Sequence, residues 1–222
     1  MVREYRGHLL PTTLEEKIAP RQTAVVVVDV QNDFVHPAGY FGGSPALQAI
    51  VGPIRDLTVA ARAAGAGVHF IRVEQEADGS SASAVWISEA LGKGYEPKQC
   101  ITGTWGAQIV DELTPLAGDQ IHVKRRRSAF RGTTLEQQLR KAGVQAVIVT
   151  GLAANGCVEY TARDAFELDF HPMVALDAIA TTTDQPGHSW APHYAAFLPE
   201  QNLLTTGQII STWKATQSPE AG

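Results

Sequence analysis

From Ala24 to Val28 the chain sets five apolar residues in a row, four of them valines, and then places Asp29 before Val30. The run is of strand length, β-branched, and lacks polar alternation. That pattern belongs to a strand covered on both faces, as inside a parallel sheet. Residues 144–150 repeat it with Val144, Val147, Ile148 and Val149. Strands of this kind need helices on both sides, and the chain supplies them. Residues 47–64 carry an apolar face at helical spacing and end near Gly65 and Gly67. Residues 133–142 set Leu135 and Leu139 one turn apart, with Thr133 or Thr134 as cap. Residues 158–166 form an amphipathic helix directly after a small-residue turn, Gly151 to Ala154. Further strands are expected at 68–73, 120–123 and 172–176, with a weak one at 202–204. Helices are expected at 108–113, 190–198 and 206–214. Strands alternating with helices predict an α/β fold with an open, mostly parallel, roughly six-stranded sheet covered on both faces. No repeat, linker or low-complexity tract divides the chain, so residues 1–222 read as a single domain.

Composition removes several classes of function. Hydrophobic residues make up 44% and charged residues 18%, an ordinary globular mixture. No apolar run approaches the roughly 18 residues of a membrane span. The segment from Met1 to Arg6 has no apolar signal region, which points to a cytoplasmic protein. The only cysteines, Cys100 and Cys157, lie far apart, against a disulfide framework or a cysteine zinc site. A formal net charge of −5 gives no reason to expect nucleic acid as a partner.

In a parallel α/β sheet the carboxyl ends of all strands share one edge, where active sites are built. Asp29 ends the first strand, Lys124 the third, and Cys157 follows the fourth. Cys157 is expected at the first turn of a helix, where unpaired N–H groups and the helix dipole lower a thiol pKa. Asp29 can take the thiol proton as general base and return it to a leaving amine. Lys124 favours thiolate and orients the carboxylate, and the Cys157 N–H can stabilise an oxyanion. Each residue also has a plainer reading. A free cysteine is often a small buried apolar group, and Lys124 opens the basic run Arg125, Arg126 and Arg127, the composition of a solvated face. Asp29 is harder to dismiss, because burying a carboxylate among valines requires partners.

The residues around these three positions resemble a known family. Val28 to Phe34, with Asp29, Gln31, Asn32 and Asp33, is similar to the aspartate motif of the isochorismatase-like cysteine hydrolases. Val123 and Lys124, followed by Ser128, Ala129, Phe130, Thr133, Thr134 and Leu135, resemble their lysine motif. Gly151 to Val158, followed by Thr161 to Ala165, resembles their nucleophile motif. Gly103 to Gly106 and Leu176 to Ala178 match further landmarks. The resemblance runs from about residue 23 to 180. It implies a Rossmann-like three-layer α/β/α fold, a homodimer or homotetramer, and a catalytic triad of Asp29, Lys124 and Cys157. It also implies a cis peptide joining Leu152 to Ala153, with the Ala153 and Cys157 amides forming an oxyanion hole. Ala154 and Gly156 depart from the family, which has a more usual Thr and a bulkier residue there.

Since Cys157 is present, the resemblance favours amide, carbamoyl or ureido hydrolysis through a thioester over the vinyl-ether cleavage of members lacking the cysteine. The metal-binding nicotinamidase branch carries an Asp and two His after the second strand. Here residues 73–79 hold no histidine and read as an exposed acidic loop, so no metal and no cofactor is expected. The branch acting on carbamoyl and ureido compounds fits better. A small planar substrate of that type is the expected partner, with Phe34, Trp86 and Phe130 as flat walls. Trp105 is a further candidate wall, with core packing an alternative that weighs more for it than for Phe34. One of Arg125 to Arg127, with Arg127 favoured, is expected as a carboxylate clamp, and no more than one facing the pocket. His188 is a further candidate contact, and His36 a cover for the pocket mouth. Two alternatives stand beside this reading: an isochorismate-type vinyl-ether hydrolase, and a non-catalytic binding protein on the same fold.

Overall fold

The computed structural model describes residues 3–185 and 188–217. Met1 and Val2, which belong to the N-terminal segment discussed above, lie outside the described residues, as do Pro186 and Gly187. A small antiparallel hairpin, β1 (Arg3–Tyr5) and β2 (His8–Leu10), precedes the main sheet. That sheet has six strands: β3 (Thr23–Val28), β4 (Gly67–Val73), β5 (Gln120–Lys124), β6 (Ala146–Leu152), β7 (His171–Ala180) and β8 (Leu203–Leu204). Their spatial order is β5-β4-β3-β6-β7-β8, and every pairing is parallel.

The helices are α1 (Leu14–Lys17), α2 (Asn32–Val35), α3 (Pro45–Ala49), α4 (Val51–Ala64), α5 (Ala84–Gly92), α6 (Leu135–Lys141), α7 (Glu159–Glu167), α8 (Ala191–Ala195) and α9 (Thr206–Gln217). The apolar runs do what their composition requires. In β3, Val25 and Val27 belong to the core on one face, with α4 and α9, while Ala24, Val26 and Val28 belong to the core on the other, with α6 and α7. All are essentially inaccessible to solvent, and each valine so buried contributes roughly 1.5–3 kcal/mol. Helix α4 buries Ile54, Leu57, Thr58 and Ala61, one stripe at i, i+3, i+4 and i+7. It ends at Gly65 in the left-handed conformation, as the glycine there predicts. Among the described residues, no helix is long and apolar enough to cross a membrane.

From β3 the chain steps outward to β4 and β5, then returns to the other side of β3 for β6, β7 and β8. The order therefore reverses between β3 and β6, and at such a switch point a crevice opens outside the strand ends. Asp29 follows β3 there and Cys157 follows β6. The two strands approach closely at this edge. Gly151, paired with Val28, has φ +106°, and a Cβ there would lie 2.1 Å from the Val28 carbonyl oxygen. Gly151→Ala is expected to cost about 3 kcal/mol or more, lowering the melting temperature by roughly 6–12 °C. Unchanged thermal unfolding would show that the strands can part here freely.

Several boundaries differ from those read in the sequence. The strand expected at 144–150 begins at Ala146 and runs on through Gly151 and Leu152, which were expected as a turn. The helix expected at 47–64 breaks at Ile50 into α3 and α4. In place of the one at 108–113 there is a single 3-10 turn, Asp111–Leu113, with another at Trp105–Ala107 just before the segment. The 74–103 connection contains α5, which buries only Ala90 and so carries little periodic signal.

Candidate active site

Asp29 leaves β3 with φ +54° and passes its own N–H to Ile71 O (3.0 Å). The side chain of Gln31, fully buried, holds the turn open. Its Nε2 donates to Val73 O (2.9 Å) and Ala107 O (2.8 Å), and its Oε1 accepts from Val73 N (2.9 Å). Asp33 Oδ2 accepts from Cys100 N at 2.6 Å, and Asn32 Nδ2 donates to Trp105 O at 2.9 Å. The residues after Asp29 are thus scaffold: their polar groups fix three loops around one carboxylate.

Lys124 closes β5 opposite Val73 and reaches inward. Its three N–H groups find three acceptors: Asp29 Oδ2 (2.8 Å), Cys157 Sγ (3.2 Å) and Arg126 O (3.0 Å). Far from being part of a solvated face, its side chain is fully buried. Asp29 Oδ1 is also buried and has no hydrogen-bond partner among the described residues. The three strand-end residues therefore meet, with the ammonium between carboxylate and sulfur.

Cys157 does not sit in the first turn of a regular helix. The peptide between Leu152 and Ala153 is cis, and residues Ala154–Val158 form a wide, kinked turn. Gly156 there has φ −143° and ψ −110°, and Val158 N donates to Ala153 O (3.2 Å). Regular helix begins only at Glu159, so the aligned amides lie beyond the thiol. Two hydroxyls brace the turn. Tyr194, fully buried, donates to Ala154 O (2.6 Å), and Thr161 Oγ1 donates to Cys157 O (2.6 Å) while accepting from Ala129 N (3.0 Å). Sequence reasoning passed over Gln31 and Thr161 as roles in their own right, though both stand inside recognised motifs. Tyr194 gave no signal, because its partner is forty residues away.

The electrostatics reverse one expectation. Burial pushes the Cys157 thiol up to about 11, with Lys124 pulling it down and Asp29 pushing it further up. Burial likewise holds the Asp29 carboxyl above its ordinary range, against the pull of Lys124. Burial draws the Lys124 ammonium down, but Asp29 and Cys157 more than offset this and raise it. With the folded thiol titrating above its ordinary value, the thiolate fraction at neutral pH is small and grows as pH rises toward about 11. Alkylation of Cys157 by iodoacetamide is expected to keep accelerating above pH 9. A plateau by pH 8, followed by mass spectrometry of the labelled residue, would contradict that ordering of effects. Cys100 is fully buried beside Asp33, also with a raised pKa, and does not compete for the reagent.

Asp29, Lys124 and Cys157 lie on the floor of a cavity of about 730 Å³. Phe34, Trp86 and Arg127, expected as contacts, line it together with Ala153, Gln99, Lys93, Tyr95, Tyr160 and Thr181 to Thr183. Phe130 is not brought there: it packs in the core, stacked on Phe170 with ring centroids 5.9 Å apart. His188 is exposed against Trp190 and is not part of the lining. His36 likewise stays outside, edge-on to Trp105, which is 45% exposed and no core residue. All three arginines line the cavity, where no more than one was expected. The reason is that each holds a different part of the 74–103 connection: Arg125 pairs with Glu76, Arg126 Nη1 donates to Ser81 O (3.1 Å), and Arg127 pairs with Glu89. The acidic stretch is correspondingly less exposed than expected, with Glu74 buried and paired to Arg72 at 2.8 Å. Among the described residues, no three His, Cys, Asp or Glu side chains converge as a metal site.

The family model described as Isochorismatase domain matches residues 23–208, which include all three strand ends. The chain belongs to the isochorismatase family. Within it, the ureidoacrylate amidohydrolase RutB of Klebsiella pneumoniae subsp. pneumoniae is 35% identical over 193 residues, covering 81% of this chain and 80% of that protein. A cysteine hydrolase from Pseudomonas syringae pv. phaseolicola superposes with a TM-score of 0.77 at 27% identity, covering 90% of this chain and 95% of the other. N-carbamoylsarcosine amidase from Thermoplasma acidophilum superposes with a TM-score of 0.67 at 29% identity, covering 83% and 95%. This isochorismatase-family chain is therefore a cysteine hydrolase by descent, homologous to amidohydrolases acting on C–N bonds. Its Lys124–Asp29 and Lys124–Cys157 contacts fit a triad.

Proposed function

We propose that the protein is a metal-independent amidohydrolase that cleaves a C–N bond of a small amide, carbamoyl or ureido compound through a thioester on Cys157. The observation that carries this reading is the single ammonium of Lys124 held 2.8 Å from Asp29 and 3.2 Å from the thiol at the cavity floor. The relatives that act on ureidoacrylate and N-carbamoylsarcosine support the substrate class.

In this reading the thiol stays protonated at rest, in keeping with its raised pKa. Asp29, with one oxygen unpaired, takes the proton as the sulfur attacks the substrate carbonyl carbon. The carbonyl oxygen becomes an oxyanion and is met by the backbone N–H groups of Ala153 and Cys157. Collapse breaks the C–N bond, and the proton held by Asp29 goes to the departing nitrogen. Water then attacks the thioester carbon, Asp29 accepts its proton, and the C–S bond breaks as the proton returns to sulfur. Lys124 stays protonated throughout and balances whichever of its two neighbours is negative. The enzyme acts as one domain, assembled as a homodimer or homotetramer, in a reducing compartment where Cys100 and Cys157 remain free thiols.

The test is ammonia release by chelator-treated protein across a panel of small amides, carbamoyl and ureido compounds. Turnover without added metal is expected. A strict metal requirement, or pyruvate release from isochorismate that survives Cys157→Ser, would replace this reading with another.

A further inference from the structure

Two buried imidazoles have no part in the chemistry above. His69 in β4 and His122 in β5 are 5% and 4% exposed, and His69 Nδ1 stands 3.0 Å from His122 Nε2 with the rings stacked. At that distance one nitrogen carries a hydrogen and the other offers its lone pair, so at least one ring is neutral. The strand that carries His122 has little else to hold it. β5 is an edge strand, hydrogen-bonded to β4 alone. Gln120, Ile121 and Val123 are exposed, and only His122 and Lys124 are buried. Side chains two residues apart on a strand share a face, so the imidazole pair and the Lys124 ammonium lie on the same side of the sheet. Besides its ladder, β5 is anchored by one imidazole contact and by the buried lysine itself.

The surroundings oppose charge on the pair. Burial, followed by the neighbouring ring, pushes His69 down to about 4 against the pull of the Asp119 carboxylate, and burial holds His122 below its ordinary value. Asp119, just before β5, is itself held by Arg62 of α4 at 2.7 Å. Further along the same face stands the Lys124 ammonium, matched by Asp29 at 2.8 Å. Helix α6 covers this face and carries Glu136, Arg140 and Lys141; the first two pair with each other at 2.9 Å, and Lys141 is exposed. A first proton added to the pair therefore places a charge out of reach of water. A second removes the lone pair that the hydrogen bond needs.

We propose that His69 and His122 are positioning residues that dock β5 while neutral and release it, with Lys124 at its end, when protonated. The consequence for turnover rests on the amidohydrolase reading; the docking of β5 does not. The direction follows from the environment. A ring freed with β5 regains the ordinary histidine value, about 6.5, while the docked His69 takes a proton only near 4. Docking is therefore at full strength above about 6.5 and weakens as pH falls from there toward about 4.

Deuterium exchange of the full chain at pH 7 and pH 5, read by mass spectrometry and corrected for intrinsic exchange rates, tests this. Protection of residues 120–124 in the parent is expected to fall about tenfold or more between the two, while residues 23–28 of β3 hold theirs. A protein with both His69→Leu and His122→Met has no titrating ring here and is expected to lose that response. His122→Gln keeps a hydrogen-bonding amide beside His69 and leaves one titrating ring, so its fall is expected to be smaller than the parent's. In turnover, the ratio of kcat at pH 5 to kcat at pH 7 is expected to be at least about fivefold higher in the double variant than in the parent, with KM unchanged. The proposal is overturned by a parent whose protection at 120–124 does not respond, by a fall shared equally by 23–28, or by a double variant that follows the parent in exchange or in kcat. Should the double variant not fold, His122→Gln decides, and a fall as large as the parent's overturns the proposal. Failure of the amidohydrolase reading is separate: β5 responds as expected and no ammonia is released.

Discussion

Cys157→Ala is expected to lower ammonia release by about ten-thousand-fold or more while leaving the protein folded. The residue contributes little to packing: Cys157 keeps part of its surface open to the cavity although its thiol is desolvated, and its sulfur accepts one hydrogen bond from Lys124 that the ammonium can spare, being also engaged with Asp29 and Arg126 O. Stability in urea should therefore change by no more than about 1–2 kcal/mol, whereas the reaction loses the only atom on which a thioester can form. Residual turnover within tenfold of the parent would remove Cys157 from the nucleophile's role. A variant that fails to fold would instead show that the kinked turn at Ala154–Val158 depends on the thiol. Circular dichroism and the unfolding midpoint separate these two outcomes.

Lys124→Met is expected to damage both activity and stability. Methionine matches the length of lysine but leaves Asp29 buried and unpaired, a loss of about 3–5 kcal/mol for breaking a buried ion pair from one side. The pH dependence follows from the sign of the remaining shift. Burial already holds Asp29 high, and Lys124 is the main influence pulling it back, so in the variant the folded carboxyl rises further. A carboxyl whose folded pKa exceeds its unfolded value contributes stability below the unfolded pKa, about 3.9, and loses it as pH rises through the folded one. The variant should thus come closest to the parent under mildly acid conditions and fall away toward neutrality. Adding Asp29→Asn removes the charge altogether and should recover most of the stability without restoring turnover. A double variant no more stable than Lys124→Met would mean that the lysine's packing, not the pairing, carries the loss.

The sheet and the three strand-end residues were legible because their signals are local. A run such as Ala24 to Val28 can be buried only on both faces, and a carboxylate, an ammonium and a thiol at the carboxyl ends of three parallel strands must share one edge. What stayed hidden depends on contacts between distant segments. Phe130 belongs to a motif, yet its ring stacks on Phe170, a neighbour only in three dimensions. The thiol's pKa lies above rather than below its ordinary value because desolvation at the cavity floor outweighs the pull of Lys124, and regular helix begins only beyond the sulfur. The arginine run looked like a solvated face because its acceptors, Glu76, Ser81 O and Glu89, lie 38 to 49 residues back, spread along a connection with no clear period. Helix α5 escaped notice for the same reason: a helix that buries a single residue needs no stripe.

The arrangement of those arginines gives the molecule two electrostatic regimes a few residues apart. At the floor, Lys124 and Asp29 meet with side chains 0% and 2% exposed, where dissolved ions hardly reach. At the roof, Arg127 and Glu89 meet with side chains 40% and 47% exposed, within easy reach of mobile counterions. Ionic strength therefore acts as a selective handle, loosening what covers the cavity while leaving the charges at its base in register.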